Sequence, residues 1–284
     1  MPGRGLGLKF KELSYASPDD PLPKQWVIRA IEGLCGRKRL VRLYEIWRND
    51  IIGSSDRVMG DLLGLVDVKL DIASGMWPPR ELPDQPLVMV ANHPFGIGDG
   101  IAILALAEQL GRPFRVLINK ELLKVPEIRP YSLPIDFAET KEAMAQNLAV
   151  RREALALLKE GVTIVVFPAG GVATASSPFG RASELPWKTF TARMIHEAGA
   201  AVLPVYFEGQ NSRLFHVASH VSLTLRLSLL VREFKRLVGT ALQVRVGDII
   251  GYEMLAGMRD RKQMMSYLHE SVLALGTTAA PQAT

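Results

Sequence analysis

Apolar residues along this chain follow two rhythms in alternation, short runs rich in β-branched residues and longer stretches at helical spacing. The short runs Pro86 to Ala91, Phe114 to Ile118, Val162 to Phe167, Ala201 to Phe207 and Leu242 to Val246 read as strands, with a further short strand or loop around Leu133 to Phe137. Val66 to Leu70 alternates as a strand does. Helical spacing runs from Ile101 to Leu110, Glu139 to Glu160, Leu185 to Ala198, Ser219 to Val238 and Met254 to Leu275, with Gly161 and Gly199 as stop signals. Strand and helix taking turns predicts an α/β fold: a largely parallel, twisted sheet of about six to seven strands covered by helices. In such a sheet the working residues gather where strands end at their carboxyl side.

Ahead of this body the pattern is helical and basic. A stretch from about Lys24 to Asp50, with a second piece from about Ser55 to Leu65, interleaves Lys24, Arg29, Arg37, Lys38, Arg39, Arg42 and Arg48 with Trp26, Ile28, Leu40, Leu43, Tyr44 and Trp47. That is the composition of an amphipathic helix pair lying in a bilayer surface, or of a solvated helix face packed on its own domain. The expected organisation is a flexible leader over 1–23, an amphipathic helical segment over 24–65, a main domain over 66–276 and a flexible tail over 277–284. A link rich in turn residues, Trp77-Pro-Pro and Leu82-Pro-Asp-Gln-Pro86, precedes the first central strand.

With 284 residues, 48% of them hydrophobic and 22% charged, the chain can bury a substantial core. The single cysteine, Cys35, cannot form an internal disulfide, and no His/Cys cluster has zinc spacing, so a reducing intracellular setting without a metal is expected. The first residues carry no apolar signal core, and no run approaches the roughly 18 apolar residues needed to span a bilayer, so a soluble or peripheral protein is expected. A net charge of +5 and a pI near 9.3 favour an anionic partner. Nucleic acid is not expected, because no recognition module accompanies the charge.

The chemistry concentrates at Val88-Met-Val-Ala-Asn-His-Pro-Phe-Gly-Ile-Gly-Asp-Gly100, where a buried strand turns into a helix. His93 follows the strand and Asp99 lies in the first helical turn, where exposed N–H groups favour a carboxylate. The glycines between them let the aspartate reach back to the imidazole, hold one ring nitrogen and leave the other to accept a proton. A tight structural loop or a phosphate cradle has the same outline. The spacing Gly96-x-Gly98-x-Gly100 fails as a dinucleotide fingerprint, since Ile101 or Ile103 stands at its third glycine. Two further strand ends break into loops: Phe167-Pro-Ala-Gly-Gly171, whose N–H groups around Gly170 and Gly171 suit an oxyanion or phosphate, and Glu208-Gly-Gln-Asn-Ser212. Arg181, Lys188 and Lys120 are cations near such ends. Pro204 within a central strand predicts a bulge or a special strand end. His196, His216, His220 and His269 have no carboxylate partner in sequence; His196 and His269, on predicted helices, read as structural or surface residues, and His216 and His220, at i,i+4 spacing, have no third ligand at metal spacing.

Four segments in order resemble motifs of the glycerolipid acyltransferase superfamily, the group of lysophosphatidic acid acyltransferases: Asn92-His-Pro-Phe-Gly-Ile-Gly-Asp99, Asn119-Lys-Glu-Leu122 with Pro126, Phe167-Pro-Ala-Gly170 and Val202-Leu-Pro-Val205. Five residues separate His93 from Asp99 instead of the usual four, which is similar to a bacterial hemolysin-like branch that includes lyso-ornithine lipid acyltransferases. The wider family has a glutamate where Ala169 stands and an arginine closing the second motif, absent from Leu133 to Phe137. That branch has an acidic residue where Gly171 stands. The resemblance implies transfer of a fatty acyl group from acyl carrier protein or acyl-coenzyme A to a lysolipid hydroxyl, such as a lyso-ornithine lipid or lysophospholipid, without a cofactor. His93 is the implied general base and Asp99 its support. Asn92, Lys120, Gly170, Gly171, Arg181 and Lys188 are the implied substrate contacts. An anionic membrane surface is the implied partner, and the inner face of the cytoplasmic membrane the implied location. The altered third motif keeps open a lipid-binding protein of the same fold with little or no catalysis.

Overall fold

A computed structural model describes residues 13–14, 21–34, 37–73, 76–177 and 180–277. Most of the expected leader, nearly all of the tail, and Cys35 lie outside the described residues, as do the side chains of Lys24, Val27, Ile31, Glu32, Leu34 and Arg37. Helices α1 (Leu22–Leu34), α2 (Arg37–Ile46) and α3 (Val58–Leu65) lead into strand β1 (Lys69–Ala73). Then come β2 (Leu87–Ala91), α4 (Ile97–Gln109), β3 (Phe114–Asn119), β4 (Ser132–Ile135), α5 (Lys141–Lys159) and β5 (Thr163–Val166). A two-strand ribbon, β6 (Thr174–Ala175) with β7 (Ala182–Ser183), precedes α6 (Phe190–Ala198) and β8 (Ala201–Phe207). The order closes with α7 (Arg213–Val221), α8 (Leu223–Leu237), β9 (Ala241–Val246), α9 (Tyr252–Leu255) and α10 (Arg261–Thr277).

The main sheet has seven strands in the order β1-β9-β8-β2-β5-β3-β4. The five from β8 to β4 run parallel, and β9 pairs antiparallel to β8 with β1 parallel to β9, so the largely parallel sheet expected from the alternating pattern is present. Every residue of β2 is buried, as a central strand covered on both faces requires. Its side chains divide by alternation: Leu87, Met89 and Ala91 join the core under α3 and α4, and Val88 and Val90 join the core under α5, α6 and α10. Because β2, β5, β3, β4 and β8 share one direction, residues 92, 167, 120, 136 and 208 all leave the sheet at one edge.

Several elements are shorter or more broken than the periodicity suggests. The expected helix over Ser219 to Val238 is two helices, parted at Ser222 by extended backbone (φ −162°, ψ 133°). The expected helix over Met254 to Leu275 is likewise α9 and α10, and α6 starts at Phe190 because residues 184–188 run without regular structure. Hydrophobic period reports which face is buried, not where the chain bends. Pro204 needs no ladder partner on the β9 side: β9 pairs with residues 205–207, Ile250 with Val202, and Gly247 N–H donates to the Pro204 carbonyl at 3.0 Å.

The basic N-terminal segment is packed on the body through much of its apolar face. Ile28, Tyr44 and Trp47 are buried, Trp47 Nε1 donates to the Val58 carbonyl at 3.2 Å, and the Tyr44 hydroxyl donates to Glu127 at 2.5 Å. Glu108 of α4 accepts from the Met59 and Gly60 N–H groups at 2.8 and 2.9 Å and so caps α3. Of the aromatic residues that suggested a bilayer face, Trp26 alone stays 74% exposed, with Leu22 beside it on α1. No helix among the described residues is long and apolar enough to cross a membrane.

The turn from β2 into α4 is the tightest feature of the sheet edge. Gly96 holds φ +84°, and a Cβ there would meet Leu230 Cδ2 at 2.9 Å and Val172 Cγ2 at 3.1 Å. We expect Gly96→Ala to destabilise the protein by about 1–3 kcal/mol through backbone strain and overpacking, read as a lower urea midpoint at unchanged slope.

Candidate active site

The site grows from the chain reversal after β2. Ala91 ends the strand, and Asn92, now beyond the ladder, uses its side chain in place of backbone pairing. Asn92 Nδ2 donates to the Phe207 carbonyl at 2.9 Å, and the Phe207 N–H donates to Asn92 Oδ1 at 2.7 Å. The side chain expected among the substrate contacts therefore ties the end of β2 to the end of β8, with both amide groups committed. Pro94 and Phe95 turn the chain, and Phe95 rests on Gly209, where a Cβ would come within 2.6 Å of the Phe95 ring. Asp99 then falls in the first turn of α4.

Asp99 is fully buried, and a carboxylate removed from water must be met by donors. Its Oδ2 accepts from the Phe95 N–H at 2.8 Å, and its Oδ1 lies 3.1 Å from His93 Nδ1. The contact is a close approach rather than a hydrogen bond, since neither Nδ1 nor Oδ1 has a hydrogen-bond partner among the described residues. The carboxylate favours the proton on Nδ1 and leaves Nε2 as the basic nitrogen. The His93 side chain retains 16% exposure against none for Asp99, an accessible ring over a sealed carboxylate.

Packing fixes the rest of His93. Its ring stacks on Phe167 at 4.0 Å between centroids and 28° between planes. Its carbonyl accepts from the Ala173 N–H at 2.8 Å, and its N–H donates to Glu184 Oε1 at 2.7 Å. Glu184 is a residue that sequence reasoning passed over. Its other oxygen accepts from Trp187 Nε1 at 2.9 Å and stands 3.7 Å from His269 Nε2. Burial pushes the Glu184 carboxyl up, partly offset by the Trp187 and His93 hydrogen bonds. No local signal could have found it, since 91 residues separate it from His93.

The loop carrying Ala173 is itself held by two histidines of α7. His216 Nδ1 accepts from the Ala175 N–H at 3.3 Å, and His220 Nε2 meets the Ala175 carbonyl at 2.8 Å. Burial lowers the His216 pKa, which favours the neutral ring that accepts from the Ala175 N–H. Both histidines thus hold the Ala175 backbone, and no cluster of metal ligands occurs among the described residues.

The expected substrate contacts divide three ways. Gly170 and Gly171 lie in the turn after Phe167, whose ring stacks on His93, but the Gly170 N–H closes that turn onto the Phe167 carbonyl at 2.9 Å and is not free to meet an oxyanion. Among the described residues the Gly171 N–H has no protein acceptor. Lys188 reaches back over this turn: a Cβ on Gly170 would lie 2.9 Å from its Nζ, which also stands 5.0 Å from the Phe137 ring centre. Lys120 pairs with Asp136 at 2.6 Å, and its ammonium holds that carboxyl below the usual range. The two lysines thus share one rim through the adjacent residues Asp136 and Phe137. Arg181 stands elsewhere, exposed at the start of β7 and acting electrostatically on the Tyr206 hydroxyl. Asn211, in the loop after β8, is buried, and neither side-chain amide atom has a hydrogen-bond partner among the described residues.

A family model described as Acyltransferase matches residues 78–262. Two relatives, each named lyso-glycine lipid O-acyltransferase, are 29% identical: one from Phocaeicola vulgatus over 55% of this chain, the other from Bacteroides thetaiotaomicron over 59%. The matches span 53% and 60% of those relatives' own lengths. Among solved structures, the 1-acyl-sn-glycerophosphate acyltransferase PlsC from Thermotoga maritima shares the fold at a TM-score of 0.50. The alignment covers 92% of this chain and 96% of that one, at 17% identity.

Truncating the Asn92 clamp should leave the buried N–H and carbonyl of Phe207 without partners. We expect Asn92→Ala to cost about 2–4 kcal/mol of stability, at roughly 1–3 kcal/mol for each orphaned group, measured by urea unfolding.

Proposed function

This chain belongs to the acyltransferase family, and we propose that it moves a fatty acyl group from a thioester donor to a lysolipid hydroxyl. The observation that carries the reading is the buried Asp99 carboxylate 3.1 Å from Nδ1 of an accessible histidine, at the carboxyl end of a central parallel strand. His93 Nε2 takes the proton of the lysolipid hydroxyl as that oxygen attacks the thioester carbonyl. Asp99 orients the ring and stabilises the imidazolium. The tetrahedral intermediate collapses by expelling the thiolate, which takes the proton back from Nε2, leaving an ester and a free thiol. The two groups meet directly, so neither an acyl-enzyme nor a cofactor is required. The Gly171 N–H is the donor we assign to the developing oxyanion.

The acceptor we favour is a lysolipid with an amino-acid headgroup, supported by the lyso-glycine lipid O-acyltransferases among its relatives. Leu133 to Phe137 supplies no arginine for a phosphate headgroup, and Lys120 beside it is already paired with Asp136. Lys188 and Arg181 are the charged groups we assign to anionic parts of the substrates. Contact with the inner face of the cytoplasmic membrane is proposed through Leu22 and Trp26, exposed on α1 near the exposed Arg29.

His93→Ala should lower turnover at least ~100-fold with its unfolding midpoint retained, since general base catalysis is worth about that much or more. The assay is mass-spectrometric detection of acylated product over a lysolipid panel, with acyl carrier protein and coenzyme A thioesters offered separately. Near-normal rates in this variant would remove His93 from the mechanism and favour lipid binding alone. Asp99→Asn should be severely impaired and show an altered pH–rate profile, because the imidazolium loses its counter-charge. An unchanged profile would refute the pairing.

A further inference from the structure

Away from the His93 turn, a groove of about 410 Å³ runs between α5, α6 and the start of α10. Five of its lining residues are cations, Arg151, Arg152, Lys188, Arg193 and Arg261, against one carboxylate, Glu197, which is spent on Arg193. No other carboxylate among the described residues lies within ion-pair distance of these five. Fold stability does not account for such a concentration, since like charges gathered on one face repel. Arg261 is the sharpest case: it opens α10, whose first turn holds no acidic residue, and a helix N-terminus disfavours a cation. The preceding Asp260 spends its carboxylate on the Lys262 N–H at 2.9 Å.

We propose that this groove docks an acidic carrier protein that delivers the acyl thioester, which rests on the acyl-transfer reading above and extends it to the donor. Two features favour a protein over a small phosphate ligand. All five cations are exposed at the tips of long side chains, an arrangement that steers and orients a large anionic surface. Sites for free phosphates are instead built from convergent N–H groups in a concave pocket. Position supplies the link to chemistry. Lys188 closes the groove on the side of the Gly170 turn, and that turn begins at Phe167, whose ring backs His93. A carrier seated on α5 and α6 therefore meets, at Lys188, the turn that leads to Phe167 and His93, the direction its thioester arm would take. Arg151 adds rigidity, its guanidinium lying 4.9 Å over the Phe190 ring.

The test is fluorescence anisotropy of a labelled acyl carrier protein bearing a saturated long-chain acyl group, titrated with the full chain at two salt concentrations. The expected result is binding that weakens as salt rises and a loss of about tenfold or more in affinity for the double variant Arg152→Glu with Arg261→Glu. The double variant to lysine should keep most of the affinity, and both variants should keep the wild-type melting temperature. Equal affinity of the glutamate variant and the wild type would overturn the proposal. So would displacement of the carrier by free coenzyme A at comparable concentration, which would make the groove a nucleotide site. Carrier binding that follows these charges without turnover on any lysolipid would keep the docking surface and sink the acyl-transfer reading. Turnover with coenzyme A thioesters alone, without carrier binding, would do the reverse.

Discussion

A carboxylate with no access to water governs this structure. Asp99 cannot be tolerated at zero exposure unless donors converge on it, and the chain supplies them by folding back within six residues of His93. The Phe95 N–H, the first turn of α4 and the imidazole are all brought in by that one reversal. The reversal then dictates its surroundings. Gly96 must adopt a positive φ, Phe95 must find a glycine to rest on, and Leu230 and Leu237 of α8 come down where side chains at 96 and 98 would otherwise stand. Much of the loop architecture around the site follows from accommodating one buried negative charge.

The opposite side of His93 is built on the same principle with different parts. Glu184 closes the His93 N–H, Ala173 closes its carbonyl, and the loop carrying Ala173 is clamped by His216 and His220 from α7. The imidazole is thereby fixed by its backbone as well as by its ring stack on Phe167. Two carboxylates flank the histidine in unlike roles, Asp99 at the ring nitrogen and Glu184 at the main chain. The electrostatic division of the molecule is equally clear. The carboxylates of Asp99 and Glu184 are sealed from water at the site, and the neighbouring groove between α5, α6 and α10 presents exposed, largely unpaired cations.

The alternation of strand and helix was legible because a parallel sheet covered on both faces must bury its strands completely, and β2, β5 and β8 carry the apolar runs this requires. The break at Ser222 was not legible, since both flanking helices keep the same apolar face and the period runs through the bend. The N-terminal segment shows a similar ambiguity. A basic stretch with interleaved aromatics is compatible with lipid or with a protein core, and here Tyr44 and Trp47 went to the core because α3 and α4 offered them a matching apolar surface.

At the site, the sequence by itself placed a histidine and an aspartate on one glycine-rich strand-to-helix turn, close enough along the chain for the two to meet. It also determined which edge of the sheet would carry the later loops. Only the tertiary structure decided that Asn92 would serve as a clamp, that the Gly170 N–H would be consumed by its own turn, that Lys120 would pair with Asp136 and that Glu184 would hold the histidine. For Asn92 and Glu184 the physical reason is the same. Local spacing specifies contacts between near neighbours, and the partner of a buried polar group is fixed only when segments about a hundred residues apart are packed against it.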